Sequence, residues 1–355
     1  MSSNHSPTTT ASPETPPPAE EAKRAPHPVT AVLARAARTN TAWTFGVFLL
    51  LVVFFTVLRP HQFATTFNIR NVATDIATLL ILGVGQTFVI LTAGIDLSVG
   101  SVLVLSGVVA GKVMEAGGGT NAGWGAITLG CLAGIATGLA WGAVQGVLVA
   151  KAEVPPLVVT LGGYGAALGV AQIATGGADI RDVPTRFGDT IGAGRLGGVV
   201  PWLVVIAVVI TVLAGLLLAT TRFGRYTYAI GSNREAARRA GIRDQRHLIR
   251  IYALSGLTAG IAGVLALAWF TTTTISGHAT DNLDAITGVV LGGTSLFGGI
   301  GSVAGTVIGV LIPAVLKNGV QIIGVQPFWQ NVAVGVVLIA AVYLDQLRRR
   351  TRRRG

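Results

Sequence analysis

Side chains able to do chemistry are sparse in this 355-residue chain, and a few acids in glycine-rich breaks stand out. Asp96 lies in Gly94-Ile-Asp-Leu-Ser-Val-Gly-Ser101, between two apolar runs. A carboxylate near hydrocarbon is costly and needs a partner or water. The flanking glycines break the helix, and Asp96 or Ser98 can cap the next one. Irregular backbone at membrane depth is tolerated only where it lies buried in protein or lines a cavity. Asp96 therefore reads as a helix cap or as a cavity-lining group. A second segment, Asp284-Ala-Ile-Thr-Gly-Val-Val-Leu-Gly-Gly-Thr-Ser-Leu-Phe-Gly-Gly-Ile-Gly301, has the same logic, with Thr294 and Ser295 in its glycine-rich break. The two read as weak echoes of an internal repeat with interrupted helices, as transporters place near their pathways. A phosphate loop competes, but no Lys-Ser or Lys-Thr follows the glycines, so no Walker-type ATP site is expected.

Other chemistries find no support. Cys131 is the one cysteine, and the five histidines are scattered without metal-ligand spacing, so neither a disulfide framework nor a metal site is expected. No serine, cysteine or histidine constellation suggests a catalytic residue, and no cofactor is implied. Asp75, Gln86, Asn318, Gln321, Gln330 and Asn331 lie in or near apolar runs, where polar groups act mostly as interhelical glue, and Lys317 can snorkel to an interface. In Gly231-Ser-Asn-Arg-Glu-Ala-Ala-Arg-Arg-Ala-Gly-Ile242, Ser232 and Glu235 have capping-box spacing, and Gly241 is placed to end the helix. The helix expected, Asn233 to Ala240, spans about 12 Å at 1.5 Å per residue. Its alanines and paired arginines suit docking into a groove on a soluble partner, or holding to anionic lipid as an interfacial helix.

The elements that must position these groups follow from composition. Hydrophobic residues make up 51% of the chain and charged residues 12%, about half the share of a soluble domain. The apolar residues fall into blocks of about twenty, the length that crosses a bilayer. The fold expected is all-α, a polytopic helical membrane protein with about ten transmembrane helices, near 42–58, 72–92, 98–114, 123–149, 156–176, 200–221, 251–272, 285–298, 302–323 and 328–345. Residues 1–40 are rich in Pro, Ser, Thr, Glu and Ala and read as a disordered cytoplasmic tail rather than a signal peptide. Residues 41–346 form the membrane domain, with a basic loop at 222–250, and 347–355 form a basic tail.

The formal charge is +11, and its location decides what it means. Arginines concentrate between Arg222 and Arg250 and from Arg348 onward, in segments that resist translocation. With an even number of spans, both termini and the basic loop fall on the cytoplasmic side, and Trp124, Trp202, Trp269 and Trp329 near the other. A nucleic-acid partner is not expected in so lipid-compatible a chain. Gly130, Gly134, Gly138, Gly142 and Gly146 recur every fourth residue, and Gly301, Gly305 and Gly309 repeat the pattern. Such stripes bring backbones together where lipid supplies no hydrophobic drive between helices.

Several segments together resemble a known family. Gly94–Ser101, Leu283-Asp-Ala-Ile286 with Val290-Leu-Gly-Gly-Thr-Ser-Leu296, and Phe223-Gly-Arg-Tyr226 leading into Gly231-Ser-Asn-Arg-Glu-Ala-Ala237 are similar to permease subunits of carbohydrate ABC importers, of the ribose, xylose, arabinose and galactose type. The resemblance runs from about residue 65 to 345. Branched-chain amino acid permeases share the broader fold but differ around Gly94–Ser101. The family usually has Glu where Asn282 stands.

The resemblance implies a multi-pass subunit of a bacterial cell membrane that works as a pair, a homo- or heterodimer. It implies a cytoplasmic ABC ATPase below, which binds the ATP, and an extracytoplasmic sugar-binding protein above. Ser232, Asn233, Arg234, Glu235, Ala236, Ala237, Arg238 and Gly241 match the segment that contacts the ATPase. A sugar needs donors and acceptors but no full charges, so Gln86, Asp96, Ser98, Thr294 and Ser295 are the expected pathway residues. Two other classes compete. An ion-driven transporter would use Asp75 with Asp96 as coupling carboxylates, and a membrane enzyme would need a titratable cluster that the sequence does not display.

Overall fold

The computed structural model describes residues 40–326 except 279, with isolated positions between 329 and 343. In chain order the main helices are α1 (Asn40–Leu58), α2 (Thr66–Leu91), α3 (Val99–Ala116), α4 (Trp124–Ala150), α5 (Pro156–Thr175), α6 (Trp202–Thr220), α7 (Arg222–Ser232), α8 (Arg234–Arg239), α9 (Asp244–Phe270), α10 (Asp281–Leu291) and α11 (Val303–Ile322). Among the described residues α2, α3, α4, α5, α6, α9 and α11 are long and apolar enough to cross a membrane, and α1 holds a shorter apolar stretch. The all-α polytopic fold expected from composition is therefore the fold found. Regular β structure among the described residues is one ribbon, Arg195–Leu196 paired antiparallel with Val200–Pro201. The expected tails at 1–40 and 347–355 lie outside the described residues except for Asn40, as does more than half of the tenth span at 328–345.

Two helices begin earlier than apolar content alone suggests. Helix α2 starts at Thr66 because the Thr65 hydroxyl accepts the Asn68 amide at 3.1 Å, and Arg70 and Asp75 are carried within it. Helix α9 starts at Asp244 and carries Arg246, His247 and Arg250 in its first two turns. Span eight is corrected. Instead of a full crossing at 285–298, α10 has 11 residues, about 16 Å at 1.5 Å per residue, and yields to a glycine-rich turn. The chain then re-enters as α11, where Ser302 Oγ accepts the Gly305 amide at 3.0 Å.

Helices α2, α3 and α9 are the buried centre, while α4, α5 and α6 turn apolar side chains such as Leu129, Leu132, Leu161 and Leu213 outward. That inversion is what a hydrocarbon solvent permits. The glycine stripe of α4 lies on α9. A Cβ at Gly138 or Gly142 would overlap the backbone of Gly256 or Tyr252, and one at Gly146 would stand 2.8 Å from the Ile249 Cα. The second stripe joins α10 to α11, where Gly292 and Gly288 meet Gly305 and Gly309 backbone to backbone.

At the end of the bundle away from the Arg222–Arg250 segment, the 176–199 connection is pinned by two acids. Asp182 accepts the Thr120 amide and hydroxyl at 2.6 and 2.5 Å, which holds its carboxyl below the ordinary range. Asp179 accepts the Ile275 amide at 2.9 Å and the Thr273 hydroxyl at 3.2 Å.

Candidate functional site

Four groupings carry polar chemistry, and they divide between the two ends of the bundle. At the arginine-bearing end, α8 is shorter than expected, six residues from Arg234 to Arg239. Its cap is Asn233, whose Oδ1 accepts the Ala236 amide at 2.9 Å. The capping box anticipated from Ser232 and Glu235 is corrected accordingly. Ser232 ends α7, and Glu235 pairs with Arg239 at 3.2 Å on an exposed face. Gly241 does end the segment, at φ +81°, the left-handed conformation that spares glycine a steric penalty. Arg234 and Arg238 both reach the buried Asp244, at 2.7 and 3.2 Å, tying α8 to the start of α9. The Asp244 carboxylate raises the Arg238 guanidinium above its usual value through that hydrogen bond. Beneath them Ala237 packs with Ile230 and Leu248, so the small face of α8 is turned inward and its charges outward.

The second grouping surrounds Asp96, which is 1% exposed. Its Oδ1 accepts the Ser98 amide at 2.9 Å and the Ser98 hydroxyl at 2.6 Å, and its Oδ2 accepts the Ser255 hydroxyl at 2.9 Å. Gln145 donates to Ser98 Oγ at 2.9 Å, and Gln86 donates to the Asp96 carbonyl. Three of the five expected pathway residues, Gln86, Asp96 and Ser98, thus meet in one buried seam with Gln145 and Ser255, which the sequence analysis did not single out. Both readings of Asp96 are refined. It organises the entry to α3 by accepting the amide of the N-cap residue Ser98, and it faces protein rather than an open cavity. The seam is incompletely satisfied, since Gln86 Oε1 and Tyr252 Oη are buried without a hydrogen-bond partner.

Thr294 and Ser295 lie apart from that seam. They shape the turn after α10, where the Ser295 amide donates to Ile300 O at 2.8 Å and Gly298 donates to Ser295 O at 2.9 Å. The turn touches the arginine-bearing end: the Gly299 amide donates to Leu91 O at 2.9 Å, and Tyr228 Oη donates to Gly301 O at 2.8 Å.

At the opposite end a cavity of about 310 Å³ opens between α2, α9, α10 and α11. Asp75, Lys317, Asn318 and Gln321 line it, with Trp269 and Asp284 among the rest. Lys317 pairs with Asp284, and His278 Nδ1 lies 2.7 Å from Asp281 Oδ2. Asn318 exchanges hydrogen bonds with Asn68 at 2.8 and 2.9 Å, so its reading as interhelical glue is correct. The sequence did not reveal the convergence, because Asp75 and Lys317 come from helices far apart in the chain. Nor does the structure bring together Asp75 and Asp96, the pair an ion-driven reading would use. Sixteen residues of α2 separate Asp75 from Leu91, about 24 Å at 1.5 Å per residue, and Asp96 lies beyond.

A family profile described as branched-chain amino acid transport system / permease component matches residues 68–342. The chain is 39% identical over 300 residues to the ribose import permease protein of Escherichia coli strain K12, covering 84% of this chain and 91% of that protein. It is 35% identical over 308 residues to the fructose import permease protein of Rhizobium meliloti, covering 84% and 83%. To the D-allose transport system permease protein of E. coli K12 it is 34% identical over 305 residues, covering 86% and 91%. No solved structure matches the chain.

Proposed function

The chain belongs to the permease-component family matched over residues 68–342 and is a sugar import permease, and from that premise we propose that ATP hydrolysed by a separate cytoplasmic subunit drives it. The observation that carries this reading is similarity along most of the chain to ribose, fructose and allose permeases. Its cargo is a pentose or hexose delivered by an extracytoplasmic binding protein, and it works as a pair of permease copies. The arginine-bearing end faces the cytoplasm, as the resistance of Arg and Lys to translocation supports. There α8, with Asn233 and Gly241 fixing its two ends, docks on the ATPase. Closure of the ATPases pushes α8 and biases the bundle between inward- and outward-facing states. Gln86, Asp96 and Ser98 form the seam that parts on the cytoplasmic side, and the Thr294–Ser295 turn moves with it.

Co-expression with the partner ATPase and binding protein tests this. The permease is expected to co-elute with the ATPase after gentle solubilisation, and reconstituted vesicles to take up one of ribose, fructose or allose only with ATP. Uptake that survives ATP depletion but collapses with an ionophore would sink the ATP-driven reading.

A further inference from the structure

We propose that the cavity at the end opposite the Arg222–Arg250 segment is itself a sugar-binding site, holding a neutral polyhydroxylated ring between Asp75 and the aromatic end of α9. The inference rests on the import reading above, which makes this the extracytoplasmic mouth. Asp75 sits nine residues into α2, about 14 Å along its axis at 1.5 Å per residue. It is exposed to the cavity and has no hydrogen bond or ion pair among the described residues, whereas the neighbouring Asp284 and Asp281 are matched by Lys317 and His278. An unmatched carboxylate within an apolar helix persists where it faces water or a ligand, and in membrane proteins it marks a pathway.

The remaining walls supply what a sugar ring needs. Hydroxyl hydrogens need acceptors, which Asp75 provides, and hydroxyl oxygens need donors. The Gln321 amide is exposed at the rim with no hydrogen-bond partner among the described residues. The C–H faces of the ring need apolar contact, which Trp269, Phe270 and Leu79 give. The volume of about 310 Å³ is at the small end of the roughly 300–1,000 Å³ of small-molecule sites, which suits one monosaccharide. A permease must also release its cargo, so the site is weak, with a Kd of roughly 1 mM or above. It gives the chain its own selectivity, downstream of the binding protein.

The test is sugar binding to the full-length permease in lipid nanodiscs without the binding protein, read by saturation-transfer NMR with D-ribose, D-fructose and D-allose. Uptake by the reconstituted importer is measured alongside. At least one sugar is expected to give saturable signal. Asp75→Asn and Gln321→Ala are each expected to weaken it about tenfold, the loss of one hydrogen bond to a charged or directional partner. Each should raise the uptake KM while ATPase co-elution and chromatographic behaviour stay unchanged. Wild-type uptake without detectable binding, or binding indifferent to both substitutions, overturns the site and leaves the import function standing. Asp75-dependent binding of sodium or potassium with no sugar signal also overturns it. Absence of ATP-driven uptake by the wild type overturns the import reading itself.

Discussion

At the scale of single residues, two side chains hold segments that the rest of the molecule depends on. Asp96 is the shared acceptor in a buried seam whose donors are all neutral: the Ser98 amide and hydroxyl and the Ser255 hydroxyl. Removing the acceptor strands those donors, and each buried unpaired group costs about 1–3 kcal/mol. Asp96→Ala is therefore expected to lower stability by about 3 kcal/mol or more, while Asp96→Asn, which keeps one acceptor, loses less. Thermal unfolding in detergent reads the difference, and equal melting temperatures for the two variants would contradict the assignment. Asn233 is the second. As the N-cap of α8 it satisfies the Ala236 amide, and its loss costs about 1 kcal/mol of helix stability. We expect Asn233→Ala to reduce ATPase co-elution severalfold. Glu235→Ala should leave it nearly intact, because the exposed Glu235–Arg239 pair contributes little. A larger loss from Glu235→Ala than from Asn233→Ala would mean that the ATPase reads the charge and not the helix.

At the scale of elements, glycine decides which helices touch. Gly142 meets the backbone of Tyr252 and Gly256, whereas Gly162 on α5 has nothing within 4 Å of where its Cβ would be. Gly142→Val is expected to destabilise the protein by about 1–3 kcal/mol through overpacking. Gly162→Ala should be neutral or gain up to about 1 kcal/mol from helix propensity. Parallel melting curves check both, and similar shifts would deny that the α4–α9 seam is closer than the α5 surface.

This contrast also marks what could be read from sequence. A stripe repeating every four residues reports on its own helix, so the α4 and α11 packing faces were visible before any fold was known. Helix ends were less visible, because Thr65 and Asp244 start their helices well outside the apolar runs. Span eight misled in its length alone: Leu296 and Phe297 extended the span to 298, although the glycine-rich break was legible and Gly292 and Gly293 end the helix. The cavity was hidden altogether. Asp75, Trp269 and Lys317 are ordinary residues on separate helices, and only the three-dimensional crossing of α2, α9 and α11 makes them neighbours.

At the scale of the whole molecule, transport requires the two ends to communicate, and the structure offers a short path. The last carbonyl of α2, at Leu91, accepts the Gly299 amide from the turn after α10. Gly231, in the last turn of α7, fits against the same two groups so closely that a Cβ there would overlap Leu91 O and stand 2.7 Å from Gly299 N. Three elements therefore share one backbone contact: the C-terminal end of α7, which leads directly into the α8 that meets the ATPase in the proposed mechanism; α2, which carries Asp75 at one end and leads to Asp96 at the other; and the turn that leads into α11 and Lys317. Packed backbones of this kind do not deform smoothly, so a displacement of α8 must move α2 and the turn with it. Gly231→Ala is expected to push these elements apart without altering the outer face of α8. ATPase co-elution and basal ATP hydrolysis should stay near wild type, while sugar uptake falls about tenfold or more. If uptake instead falls only in proportion to lost ATPase association, Gly231 serves assembly rather than transmission, and the path from α8 to α2 must run through Asp244 and α9.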